Sequence, residues 1–142
     1  MQGIRILLRL AGHEVDQRQS DLLAAGRALA AARAGLAAHE VRLQGEQAAR
    51  REDVGAWRDW EAWAATARRL GRAHAAAVHS AEQREAASRH ALQDALAHRH
   101  RLELAQAAAE QEARRTAARL AELAAEEAVR CLPTSGAAAI PG

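Results

Sequence analysis

The side chains with the most chemistry in this 142-residue sequence are seven histidines, one cysteine and three tryptophans. A metal site on a helix needs ligands that converge, and only positions three or four apart share a helix face. His98 and His100 are two apart, His74 and His79 are five apart, and no HExxH pattern occurs. Solvated helix positions account best for the histidines. Cys131 has no second cysteine to pair with and reads as a spare small apolar residue. The glycines are scattered through a helical pattern and none lies between a strand and a helix, so no phosphate-cradling loop is present. Nor does any Ser, His and acid set stand out, and a thin helical rod offers no pocket to bury and tune one. The expectation is a protein that is not an enzyme and uses no metal or cofactor.

The tryptophans are different. All three fall within seven residues, in Ala56-Trp57-Arg58-Asp59-Trp60-Glu61-Ala62-Trp63. Exposed Trp is enriched in binding hot spots, which makes Trp57, Arg58, Trp60 and Trp63 the candidate partner-binding residues. The competing role is structural, with Trp57 and Trp60 in a helical seam and Trp63 on its flank.

That seam is the element that must position them. Large apolar residues recur every seven positions at Leu8, Val15, Leu22, Leu29, Leu36 and Leu43. The ladder skips Arg50 and resumes at Trp57. Three residues on, the companion positions are Ala11, Arg18, Ala25, Ala32, His39, Glu46, Asp53 and Trp60. Such a spacing gives one apolar stripe on a long helix, and small companions let a second helix approach closely. Composition agrees: 41 residues are Ala, Phe and Tyr are absent, and Leu, Arg, Glu and Gln supply most of the rest. These are strong helix formers and poor material for a bulky globular core.

The expected fold is all-α, with two long antiparallel helices forming a coiled-coil hairpin over residues 1–132. Helix 1 is predicted over about residues 4–69, a turn in about 70–80, and helix 2 over about 80–131. Gly71 after Arg68 and Arg69 resembles a helix end, and Ser80 with Gln83 fits a capping box. The charged stretch from Arg50 to Gly55 is the alternative place for the turn. Gly12, Gly26, Gly35, Gly45 and Gly55 soften the first helix by roughly 1 kcal/mol each, which seam packing must offset. In the second helix, Leu92, Leu96, Leu102, Leu120 and Leu123 alternate with alanines, and Leu92, Leu102, Leu120 and Leu123 are the candidate seam residues. Glu46–Arg50, Glu85–Arg89 and Glu110–Arg114 have the favourable order for ion pairs four apart. Helices of these lengths would span roughly 95 and 80 Å. Pro133 stops the second helix, and 133–142 is expected to be a disordered tail.

All 20 basic residues are Arg, against 18 acidic residues, for a net charge of +2. The signs are evenly mixed in both halves, so the footprint of a nucleic-acid binder is weak. No apolar run approaches the length needed to cross a bilayer, and the start of the chain is broken by Arg5 and Arg9. Neither nucleic-acid binding nor membrane insertion is expected, and the expected location is the cytoplasm.

The Trp segment also carries a resemblance. Ala-Trp-Arg-Asp-Trp-Glu at 56–61, followed by Arg69-Leu70, is similar to the aromatic–Arg–x–Trp motif of the stalk proteins of bacterial type III secretion. These are the YscO/SctO group related to flagellar FliJ, and the opening Ile6-Leu7-Leu8-Arg9-Leu10 resembles the start of that group. Glu61 stands where the group usually has Arg, and the usual acidic pair that follows is missing. The resemblance implies a helical hairpin whose paired ends enter the pore of a hexameric secretion ATPase. Its hinge end would reach the export gate at the inner membrane, and secretion chaperones are further possible partners. Leu8, Val15, Leu22, Leu120 and Leu123 would then lie near the ATPase end. Trp57, Arg58, Trp60 and Trp63 would lie toward the gate, with Arg58 pairing with an acidic partner group. The alternative is a generic coiled-coil scaffold or dimerisation module without a motor, which predicts tight self-association.

Overall fold

The structure, a computed structural model, describes residues 2–53 and 59–133. The chain forms two helices, α1 over Gln2–Glu52 and α2 over Trp60–Cys131. They pack against each other as an antiparallel coiled-coil hairpin. Helix ends carry the charges that suit them: Arg50 and Arg51 in the last turn of α1, Glu61 in the first turn of α2 and Arg130 in its last. Each opposes the partial charge that unpaired backbone groups leave at that terminus. At the far end the Leu132 amide reaches back to the Val129 carbonyl at 3.3 Å, a tightened final turn just before Pro133.

The helix boundaries correct the sequence reading. Residues 70–80 are helical throughout, and α1 ends at Glu52 instead of near residue 69, so the chain reverses between 52 and 60. Gly71 is a seam residue, not a helix end, and a Cβ built there would stand 3.5 Å from His39 Nε2. Ser80 and Gln83 lie in mid-helix, where Gln83 contacts His79 at 3.2 Å. The predicted tail at 133–142 lies outside the described residues apart from Pro133.

Two compact units are distinguished. The first comprises residues 9–99. In it, contacts from α1 positions 33, 39 and 46 fall on α2 positions 82, 71 and 63 in turn, which makes the helices antiparallel. The same register sets Val15 level with Ala95 and Leu29 level with Ala81, and all four are buried. A large side chain on α1 thus meets a small one on α2, as dense packing requires when helices approach closely. The ladder residues Leu22, Leu36 and Leu43 are half-buried, as are the companions Arg18, Ala25 and Ala32. On α2 the shielded stripe is Ala64, Ala67, Gly71, His74, Val78, Ala81, Glu85, Ser88, Leu92, Ala95 and Arg99. Arg33 and Glu82 form an ion pair between helices at 3.5 Å, and both are too exposed for it to add much.

The second unit joins the start of α1, up to Leu8, to α2 from His100 onward. Ile4 and Leu8 on α1 and Leu102, Gln106, Ala109 and Glu110 on α2 are half-buried. From Gln111 to Pro133 every residue is exposed. Leu120 and Leu123, expected in the seam, are therefore bare at 62% and 58% exposure.

Candidate functional site

The residues that lead toward the helix break gather around Trp63. Its indole N–H donates to the Glu46 carboxylate across the hairpin. The Arg50 guanidinium lies over its ring, 4.8 Å from the centroid, a cation–π contact. Trp60 leans on the same ring at 5.1 Å between centroids and 37° between planes. Glu46 and Arg50 are four apart on α1 and so share a face, which is why both reach one indole. Glu46 occupies a companion slot of the ladder: the carboxylate that interrupts the apolar stripe is the one that orients Trp63.

Trp63 is accordingly half-buried and ties α1 to α2, whereas Trp60 remains 40% exposed. Both tryptophans stand on α2, so Trp60 is not a seam residue of the first helix as the ladder suggested. Trp57 and Arg58 lie outside the described residues. Of the two candidate binding residues that are described, Trp63 acts as a clasp and Trp60 offers the larger free surface.

Next to the clasp is a shallow groove of about 200 Å³, lined by His39, Leu43, Glu46, Trp63, Thr66 and Leu70 among others. His39 forms part of its wall. The ring is only 5% exposed, its Nε2 has no hydrogen-bond partner among the described residues, and it stacks on His74 at 5.2 Å. A buried polar atom without a partner is uncommon and costs about 1–3 kcal/mol. Two glycines make room for the pair. A Cβ at Gly35 would meet His74 Nδ1 at 3.4 Å, and one at Gly71 would meet His39.

This pair overturns the solvated reading for two of the seven histidines. The signal was present: position 39 falls on the companion stripe of the ladder, and a His on a buried stripe is a buried His. What sequence could not supply was its opposite number, because the expected turn in 70–80 would have placed His74 outside any helix pair. No group of three or more His, Cys, Asp or Glu able to hold a metal ion occurs among the described residues. The groove thus offers one imidazole, one hydroxyl, the Arg42 guanidinium and an indole-bound carboxylate beside apolar walls.

Comparison with known proteins adds no relative: no family model, no curated protein and no solved structure matches the chain. Among the described residues, no helix is long and apolar enough to cross a membrane.

Proposed function

We propose that the chain is a central-stalk component of a bacterial type III secretion system, coupling the hexameric secretion ATPase to the export gate. On this reading the protein works in the cytoplasm, against the inner-membrane apparatus, and secretion chaperones are further partners. The observation that carries the reading is the Trp-rich end of the hairpin: Trp60 stays partly exposed although Trp63, three residues on, is clasped by Glu46 and Arg50. A stalk needs a hairpin closed within one chain, so that force applied at one end is carried by two helices. It also needs a distinct contact surface where the chain reverses. Both features accompany the sequence motif at 56–61 that prompted the comparison with stalk proteins.

The test pairs two readouts. The purified chain should raise ATP hydrolysis by the secretion ATPase at substoichiometric amounts relative to ATPase subunits. Trp60→Ala should weaken binding to the isolated cytoplasmic domain of the export gate by about tenfold or more, as befits an aromatic anchor. Its helicity and ATPase stimulation should stay near those of the parent. A chain without effect on the ATPase, or a Trp60→Ala variant that binds the gate as the parent does, would refute the reading.

A further inference from the structure

The uncovered end of α2 has the marks of a helix made to pair. In the second unit the half-buried α2 positions Leu102, Gln106 and Ala109 follow a three–four spacing. Continued at the same spacing, the stripe passes through Ala113, Thr116, Leu120 and Leu123, then Glu127 and Arg130. No residue of α1 shields these positions; all are exposed. The stripe is a coiled-coil seam by phase, with nothing on it.

Charge decides what fits. Before Leu120 the segment carries Arg114, Arg115 and Arg119 against Glu112, a net charge of +2, and after it Glu122, Glu126 and Glu127 against Arg130, a net charge of −2. A segment divided in this way is complementary to itself in reverse. We propose that residues 111–132 of α2 form an antiparallel coiled coil with the same segment of a second copy of the chain.

In that arrangement Leu120 faces the second copy's Leu123, and Leu123 its Leu120, as the two central layers. On the flank, Arg119, which in the single chain reaches Glu112 at 3.3 Å with both side chains exposed, meets the second copy's Glu126, and Glu126 its Arg119. Thr116 takes the place opposite Glu127, so no charge in the seam meets its like. Parallel pairing would do the opposite, stacking Glu127 on Glu127 and Arg130 on Arg130 with no salt bridge between copies from Arg119. Like charges across an interface select against that orientation. The pairing uses a face that the stalk reading gives to the ATPase, so self-paired and ATPase-bound forms would exclude one another. The proposal does not depend on that reading, because it concerns the chain alone.

Sedimentation equilibrium of the full chain up to about 100 µM is the experiment, since a seam with two Leu layers holds at micromolar strength or weaker. A reversible monomer–dimer equilibrium is expected. Arg119→Glu should raise the dimer Kd at least tenfold with unchanged far-ultraviolet circular dichroism. The double swap R119E/E126R should bring it back to within about threefold of the parent. Orientation has its own readout in the single cysteine. Antiparallel pairing holds the two Cys131 thiols roughly 30 Å apart, so mild oxidation should leave the dimer without a disulfide. A chain that stays monomeric, a dimer indifferent to Arg119→Glu, a double swap that fails to restore it, or ready Cys131 cross-linking would each overturn the proposal.

Discussion

Two stretches of α2 show what sets burial in this protein. From Ala64 to Arg99 every position of the inward stripe is at least half-shielded, although Gly71, His74, Glu85, Ser88 and Arg99 are among them. From Gln111 to Leu132 every position is exposed, although Leu120 and Leu123 are among them. Two charged residues are partly covered in one stretch, and two leucines are bare in the other. Local hydropathy does not explain that contrast; the presence of a helix opposite does. The burial of Glu85 and Arg99 is tolerable because it is partial: Glu85 is paired with Arg89, and long charged side chains can reach water past the alanines beside them.

The sharpest way to break this contrast is to truncate one leucine in each stretch. Leu29, buried opposite Ala81, should cost about 2–4 kcal/mol as Leu29→Ala, since the narrow seam cannot collapse to fill the gap. Leu120→Ala should change stability by no more than about 0.5 kcal/mol in solution dilute enough to keep copies apart. Urea denaturation followed by circular dichroism measures both. Equal costs would mean that the bare stretch is packed on something after all.

A second variant sharpens the picture of the packed stretch. His39→Leu removes the unpartnered Nε2 and keeps an apolar side chain in the space that Gly71 leaves, so unfolding should become harder by about 1–2 kcal/mol. A loss of stability would show that the stack on His74 contributes more than the orphaned nitrogen costs.

Of the stabilising variants, the smaller effect lies at two glycines of α1. Nothing stands within 4 Å of a Cβ built at Gly26 or Gly45, so Gly26→Ala and Gly45→Ala should each stabilise by about 0.5–1 kcal/mol. Thermal unfolding of the two variants would check this. An unchanged midpoint would mean that α1 gains nothing from stiffening once it is paired.

The site near the helix break was only partly legible in advance. Position 39 was on the stripe and the tryptophans were conspicuous, but the clasp of Trp63 by Glu46 and Arg50 was not foreseen. Sequence spacing shows which residues share a face of one helix; it does not show which residue of another helix stands opposite. That depends on the register, and the register depends on where the chain turns.

The sequence by itself determined that this chain is helical, because Ala, Leu, Arg and Glu allow little else. It also determined the inward face of α1, because a seven-residue repeat leaves one face to bury: Leu8, Val15, Leu22, Leu29, Leu36 and Leu43 are all shielded. Only the tertiary structure decided where α1 stops. Gly55 and Gly71 are equally plausible breakers locally, each costing roughly 1 kcal/mol inside a helix. The choice between them is made by many pair contacts at once. Reversal between Glu52 and Trp60 brings Val15 to Ala95, Leu29 to Ala81 and His39 to Gly71, and a full seam of such layers outweighs a single glycine.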